Sequence, residues 1–238
     1  MQDWYARTYR YNVYNRDQWV ARQAACIPAG QRVLDVGAGE APYRSLFDHC
    51  EYLIHDFGQT PEMLSKYAKL DYQSDITAIP VADQSFDVIL CTEVLEHVPE
   101  PICAVYELSR ILKPGGRLLL TAPLGSLLHQ EPYHFYGGFT PHWYNKFLSE
   151  AGFKIEGIEA NQNFFSLFGQ EAIRFSSYID PRRIPQRGLT WLALFLLWLL
   201  SLPLLRGVFP LLGGTLDRLG LENLSTAGYH VVAIKMKH

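Results

Sequence analysis

Several things are scarce in this sequence, and each scarcity excludes something. Only four of the 238 residues are cysteine (Cys26, Cys50, Cys91 and Cys103). None sits in a C-x-x-C pair, and no histidine cluster completes a zinc pattern, so reduced thiols and no metal are expected. There is no basic excess: 21 Lys and Arg face 24 Asp and Glu, for a net charge of -3. A general nucleic-acid binder is usually basic, so no nucleic-acid partner is expected. The first residues, MQDWYARTYRYNVYNRDQW, hold no apolar run, so no secretory signal is read there and a cytoplasmic protein is expected. Repeats and low-complexity tracts are absent. Apolar residues are not scarce: at 48% they suffice for a full core.

The chain alternates strand and helix signals. Arg16 to Cys26 reads as a helix ended by Pro28 and Gly30. Short β runs follow at Arg32 to Val36, Tyr52 to His55 and Phe86 to Leu90. A helical stretch covers Arg44 to Phe47, and a short helix is expected over Pro61 to Leu70. Glu100 to Leu112 has helical spacing and is stopped by Pro114, Gly115 and Gly116. Arg117 to Thr121 is a strand, Pro141 to Ala151 a helix, and Phe153 to Ala160 and Tyr229 to Met236 are strands. Alternation of this kind implies a parallel sheet with helices on both faces.

The segment VLDVGAGEAP joins a strand to a helix through glycines 37 and 39. Glycine lets backbone approach a ligand closely, and a helix start adds amide donors. A dinucleotide fingerprint needs G-x-G-x-x-G. Here Pro42 takes the third glycine's place, which disfavours a nicotinamide oxidoreductase. Asp35, just before the turn, would repel a pyrophosphate but suits a cationic, amino-acid-like ligand. Asp56, at the end of the second strand, stands where an acid can accept both ribose hydroxyls.

From VLDVGAGEA through LDYQSDITAIP and FDVILCTEVLEHV to ELSRILKPGGRLLLTAP, the order and spacing over Arg32 to Pro123 resemble class I S-adenosylmethionine-dependent methyltransferases, in particular the methyltransferase type 11 branch. The resemblance implies an α/β, Rossmann-like doubly wound fold with a mostly parallel seven-stranded sheet, here with a long apolar helical insertion before the last strand. The order of elements, with its long gap before the last strand, is read as one domain over 1–238: an N-terminal helical cap (1–30), a cofactor-binding core (31–160), the insertion (161–227) and a final strand (228–238). The resemblance also implies the cofactor, S-adenosyl-L-methionine, and residue roles. Gly37 and Gly39 lie against the methionine part, with Asp35 near its amino group. Asp56 binds ribose. Asp75 and the Ile76 amide meet the adenine, and Thr92 and Glu93 close the pocket. A binding protein that keeps this fold without catalysis is the alternative.

The loop PLGSLLHQEPYHFYGGFTPHWY leaves the sheet edge where open α/β folds bind ligands. It makes His129, Tyr133 and Tyr136 candidates for acceptor binding. His134 is the first choice for a general base and His97 the second, since imidazole titrates near neutrality. The acceptor expected is a small molecule, a lipid-linked precursor or a glycan, methylated at oxygen. The uncharged run from Leu189 to Leu205 is short of the ~20 residues of a spanning helix. Pro203 is expected to break its last turn. Three readings follow: peripheral contact with the inner face of a membrane through Leu189 to Leu212, a cover for a greasy pocket, or a homodimer contact.

Overall fold

The computed structural model describes residues 2–58, 65, 67, 69–185, 187–220 and 225–237. The helix expected over Pro61 to Leu70 falls mostly outside them. The chain divides into two compact units: residues 16–160 with 228–238, and residues 1–15 with 161–227. The stretch expected as a cap, 1–30, is divided between them inside helix α2 (Tyr11–Ala24).

The larger unit is a seven-stranded sheet. Its strands are β1 (Arg32–Val36), β2 (Glu51–Asp56), β3 (Tyr72–Gln73), β4 (Phe86–Thr92), β5 (Leu112–Pro123), β6 (Phe153–Ala160) and β7 (Gly228–Lys235). Their order is β3-β2-β1-β4-β5-β7-β6. The pairs from β3 through β5 are parallel, and β7 runs antiparallel to both β5 and β6. This is a doubly wound, mostly parallel α/β fold.

Period-two alternation sorts the strand side chains into two cores. Leu34, Val36, Ile89, Cys91, Leu118 and Leu120 face one layer, with Ala104, Val105 and Leu108 of α3 (Pro101–Ile111) and Tyr144 and Leu148 of α4 (Pro141–Glu150). Val33, Val88, Leu90 and Leu119 face the other, with Trp19, Val20 and Ala24 of α2. Both α3 and α4 carry proline at their first turn, where its missing N–H costs nothing. The Thr140 hydroxyl caps α4 by accepting from the Trp143 amide. Lys113 to Gly116 continues β5 where a helix stop followed by a turn was expected.

After β1 the chain fills the sheet in one direction through β2 and β3, then returns to the other side of β1 with β4. The winding therefore reverses between β1 and β4, and the carboxyl ends of these strands splay connections to opposite sides. Such a switch point opens a crevice for ligand.

The smaller unit contains α1 (Gln2–Tyr9), α5 (Phe164–Tyr178), α6 (Leu189–Leu202), a π-helical turn (Pro203–Val208) and α7 (Phe209–Leu216). Pro203 does not break the helix as its type predicted. The turn widens instead, and the Phe209 amide donates to the Leu204 carbonyl five residues back. That register accommodates a ring without an N–H. The result is one helical run, Leu189–Leu219, of 31 residues.

Candidate active site

The crevice holds a cavity of about 310 Å³ at the carboxyl ends of β1, β2 and β4. From β1 come Val36 and the turn glycines Gly37 and Gly39; from β2, His55, Asp56 and Phe57. Asp75 and Ile76 follow β3, and Glu93, Val94 and His97 follow β4. Tyr67 completes this side, while Gln130, Tyr133 and Phe135 close it from the loop after β5.

The glycine turn is stitched to β2. The Gly37 and Ala38 amides donate to the His55 carbonyl at 2.8 and 3.1 Å. The Asp56 carboxylate accepts from the Gly39 amide at 3.0 Å and from the Gly58 amide at 2.8 Å. Gly37 has φ +70, and a Cβ there would lie 2.4 Å from Val94 Cγ2. Only glycine fits a left-handed turn pressed this closely on its neighbour. Asp75 accepts from the Thr77 amide and hydroxyl at 2.8 and 2.7 Å, which fixes the turn after β3.

Glu93 has φ +54, an uncommon conformation for a residue with a side chain. It is held there by partners on β5 and α2. Its amide donates to the Thr121 carbonyl at 2.9 Å, the Thr121 hydroxyl donates to its carboxylate at 2.8 Å, and Arg16 lies 3.8 Å from its other oxygen. Beside it, burial and then the Glu93 charge push the Glu96 carboxyl well above the usual carboxylate range. Strained backbone at a strand tip, over-determined by its surroundings, is common where ligands bind.

Of the residues singled out from sequence, Gly37, Gly39, Asp56, Asp75, Ile76, Glu93, His97 and Tyr133 meet in the cavity wall. Asp35, Thr92, His129, His134 and Tyr136 are not in that lining. Asp35 is buried beneath it and accepts a short hydrogen bond from the Tyr52 hydroxyl. Burial raises its carboxyl from the ordinary 3.8 to about 7, against the lowering effect of Tyr52. Tyr136 ties the loop down, its hydroxyl donating to the Pro99 carbonyl at 2.9 Å. The Phe135 and Tyr136 amides donate to the Glu96 carbonyl and fold the loop over the β4 end.

The two candidate bases differ in placement. His134, half-buried and outside the cavity wall, pairs with the Ser126 hydroxyl at 2.9 Å, its ring 5.8 Å from that of His97. His97 is in the cavity wall, with Nδ1 2.5 Å from the Tyr133 carbonyl. A carbonyl only accepts, so Nδ1 carries the proton and Nε2 bears the lone pair. His97 Nε2 is buried without a hydrogen-bond partner among the described residues, and burial depresses its pKa, so the ring is neutral. His129 stacks edge-on against His97 at 4.8 Å and lies 4.6 Å from His134. Glu96, His97 and His129 place one ligand atom each within 4.8 Å of one another, a convergence that spacing in sequence did not reveal. Arg16, Thr121, Val94 and Tyr67 also escaped sequence reasoning. Arg16 and Thr121 act through Glu93 from distant elements, and no local pattern marks them.

Among the described residues the wall offers carboxylates at Asp56, Asp75 and Glu93, aromatic faces, and no Lys or Arg. It suits a cationic nucleoside with ribose hydroxyls and repels a diphosphate. The fold is that of the class I methyltransferases. Residues 34–120 match the family described as methyltransferase domain.

The chain is 29% identical to a ubiquinone biosynthesis O-methyltransferase of Xanthomonas axonopodis pv. citri, over 55% of its own length and 66% of that protein. It is 34% identical to the enzyme of the same name from Xanthomonas oryzae pv. oryzae, over 45% and 47%. The chain thus spans between about half and just under two thirds of these curated relatives. Among solved structures, a methyltransferase-like protein of Bacillus halodurans superposes with TM-score 0.55 at 17% identity, covering 93% of this chain and 99% of that one. The cyclase SpnF superposes with TM-score 0.58 at 18% identity, over 94% and 81%. The fold is shared, and one of its holders is named for a different reaction, so the reaction must be argued from the site.

Proposed function

We propose that this chain is an S-adenosylmethionine-dependent methyltransferase that methylates an oxygen of a small, largely apolar acceptor, free or carried on a lipid or glycan. The observation that carries this reading is the acid-lined cavity at the β1/β4 switch, with Gly37 pressed on Val94 and Asp56 fixed by two backbone amides. When bound, the cofactor supplies an electrophilic methyl group on a sulfonium.

The protein's part is positioning and proton handling. Gly37 and Gly39 offer backbone to the amino-acid end, Asp56 takes the ribose hydroxyls, and Asp75 with the Ile76 amide takes the base. Phe57, Tyr133 and Phe135 provide apolar walls for an acceptor and exclude water. His97 is the base: its bare Nε2 accepts the acceptor hydroxyl's proton, and its Nδ1–H stays on the Tyr133 carbonyl. His134 and His129 shape the loop behind it. Methyl transfer of this kind is driven largely by alignment, which the rigid strand tips supply. The relatives named O-methyltransferases favour oxygen as the acceptor atom. The same reading places the protein in the cytoplasm, at the inner face of a membrane, with Leu189 to Leu212 as the contact.

Calorimetry with S-adenosylhomocysteine and with NAD tests the cofactor. The first should bind and the second should not. Asp56→Ala should weaken the first by about 1–3 kcal/mol, the value of charge-assisted hydrogen bonds left unmade. Equal affinity of wild type and variant would remove the ribose role, and binding of NAD alone would overturn the class.

A further inference from the structure

The smaller unit carries a surface that the methyl-transfer chemistry does not use. Its helix Leu189–Leu219 has a mean hydropathy of 2.1, yet only 6% of its most apolar window is buried. Leu189, Leu197 and Leu200 are 88, 64 and 76% exposed. Leu204, Val208 and Leu211 continue the same stripe at three- and four-residue steps.

Trp191 Nε1 donates to the Pro181 carbonyl at 2.8 Å, and the next polar groups along the helix turn to α5. Trp198 Nε1 donates to the Ser176 carbonyl at 2.7 Å, and Arg206 donates to the Ser176 and Ser177 hydroxyls at 2.6 and 2.8 Å, all on α5. Gly169 and Gly213 allow α5 and α7 to touch backbone to backbone. On α5 itself, Phe164, Phe168, Phe175 and Tyr178 are exposed on one face. The N-terminal helix α1 packs beside α7 and adds Trp4 and Tyr5, each 55% exposed.

Charge is sparse along the helix, which carries only Arg206, Asp217 and Arg218. Arg183 and Arg187 are exposed just before the helix, and Arg187 lies over the Trp191 ring at 5.2 Å. Arg182 is neutralised by Asp180 at 2.7 Å.

The helix is long enough to cross a bilayer, but the topology forbids a single crossing. The segment leaves β6 and returns on β7, which are antiparallel neighbours with Ala160 opposite Tyr229. Both ends must therefore lie on one side of a membrane, which requires an even number of crossings. The other available helix, α5, has 15 residues and would span about 22 Å against a hydrocarbon core of about 30 Å. It also carries the Glu171–Arg174 ion pair. A helix with leucines open on several sides, unable to cross and approached by arginines beside tryptophan, fits the boundary between headgroups and acyl chains.

We propose that residues 1–15 and 161–227 form a monotopic binding unit for anionic bilayers. In it Leu189–Leu219 lies parallel to the membrane plane, and Arg183 and Arg187 hold lipid phosphates. This rests on the peripheral-membrane reading above and specifies its lipid and its geometry. A second copy of the chain could cover one stripe of the helix, but it would leave the other open sides in water.

The test is flotation of the full chain with vesicles of phosphatidylcholine, alone or mixed with phosphatidylglycerol. Wild type should float with the anionic vesicles and stay behind with the neutral ones. The variant R183E/R187E should lose that preference, partitioning about tenfold more weakly or worse. The variant L197E/L200E should not float at all. Trp fluorescence should be quenched more by lipids brominated near the headgroup than near the bilayer centre. Wild type that ignores anionic vesicles, or binds both kinds equally, overturns the proposal. So does stronger quenching from the bilayer centre, or a wild-type dimer that L197E/L200E converts to monomer without any vesicle binding. Affinity for S-adenosylhomocysteine is read in parallel. Its loss in wild type would sink the methyltransferase reading and leave the membrane result standing, and the converse holds equally. Because Arg183 and Arg187 are on the surface, their variant remains informative if the leucine variant misfolds.

Discussion

Replacing Gly37 by alanine tests the cradle at the centre of the site. Two penalties add. A Cβ at φ +70 forces a left-handed residue with a side chain, at about 1–2 kcal/mol. The same Cβ would sit 2.4 and 3.1 Å from the two Val94 methyls, an overpacking that typically costs about 1–3 kcal/mol. Gly37→Ala should therefore lose roughly 2–5 kcal/mol of stability in urea unfolding. Val94→Ala removes both methyls, so only the backbone penalty remains against its background. The double variant should then be more stable than the sum of the single losses predicts, by about 1–3 kcal/mol. Both residues line the cavity, so affinity for S-adenosylhomocysteine should fall in Gly37→Ala and partly return in the double variant. The four proteins form a double-mutant cycle read by urea melts and calorimetry. Stability changes that add within about 0.5 kcal/mol would show that Gly37 and Val94 are not in contact, and the close-packed cradle would be refuted.

Asp35 links the ligand-free fold to pH. Its carboxyl is raised from 3.8 to about 7 by burial, so between those values the folded state holds a proton that the unfolded state has released. Stability must fall as pH rises through that window, by roughly 4 kcal/mol at 1.36 kcal/mol per pH unit. Asp35→Asn should flatten this part of the pH profile in urea unfolding and be the more stable protein at pH ~8; a wild-type slope in the variant would refute the buried acid. His97 is lowered by burial, so as a base it stays unprotonated to a pH below that of an ordinary histidine. The turnover rate should fall only below that point. His97→Ala should cost about 10²–10⁴ in rate with cofactor affinity unchanged, and His134→Ala should cost little. A larger loss in His134→Ala would reverse the assignment.

The strands that build the site were legible because their signals are local. Arg32 to Val36 and Phe153 to Ala160 carry their pattern within a few residues, and the structure forms strands over those spans. The glycines at 37 and 39, the acid after β2 and the acid after β3 were visible for the same reason. They lie at strand ends, where backbone chemistry and spacing fix their place. The helix through Pro203 was misjudged because residue type states only the cost of an ordinary turn. The wider hydrogen-bond register at Pro203–Val208 is not stated by residue type.

Which histidine faces the cavity was likewise beyond the sequence. His97 and His134 are both plausible by type, but the Tyr133 carbonyl, from a loop 36 residues on, fixes the proton on one nitrogen of His97 and leaves the other bare. Arg16 and Thr121 reach Glu93 from α2 and β5. Periodicity and turn chemistry are properties of neighbours along the chain, so the sequence alone determined six of the seven strands and the ligand's character, while the two-residue β3 is too short to carry a pattern. Burial, tautomer and charge pairing depend on groups brought together through space, and only the tertiary structure decided those.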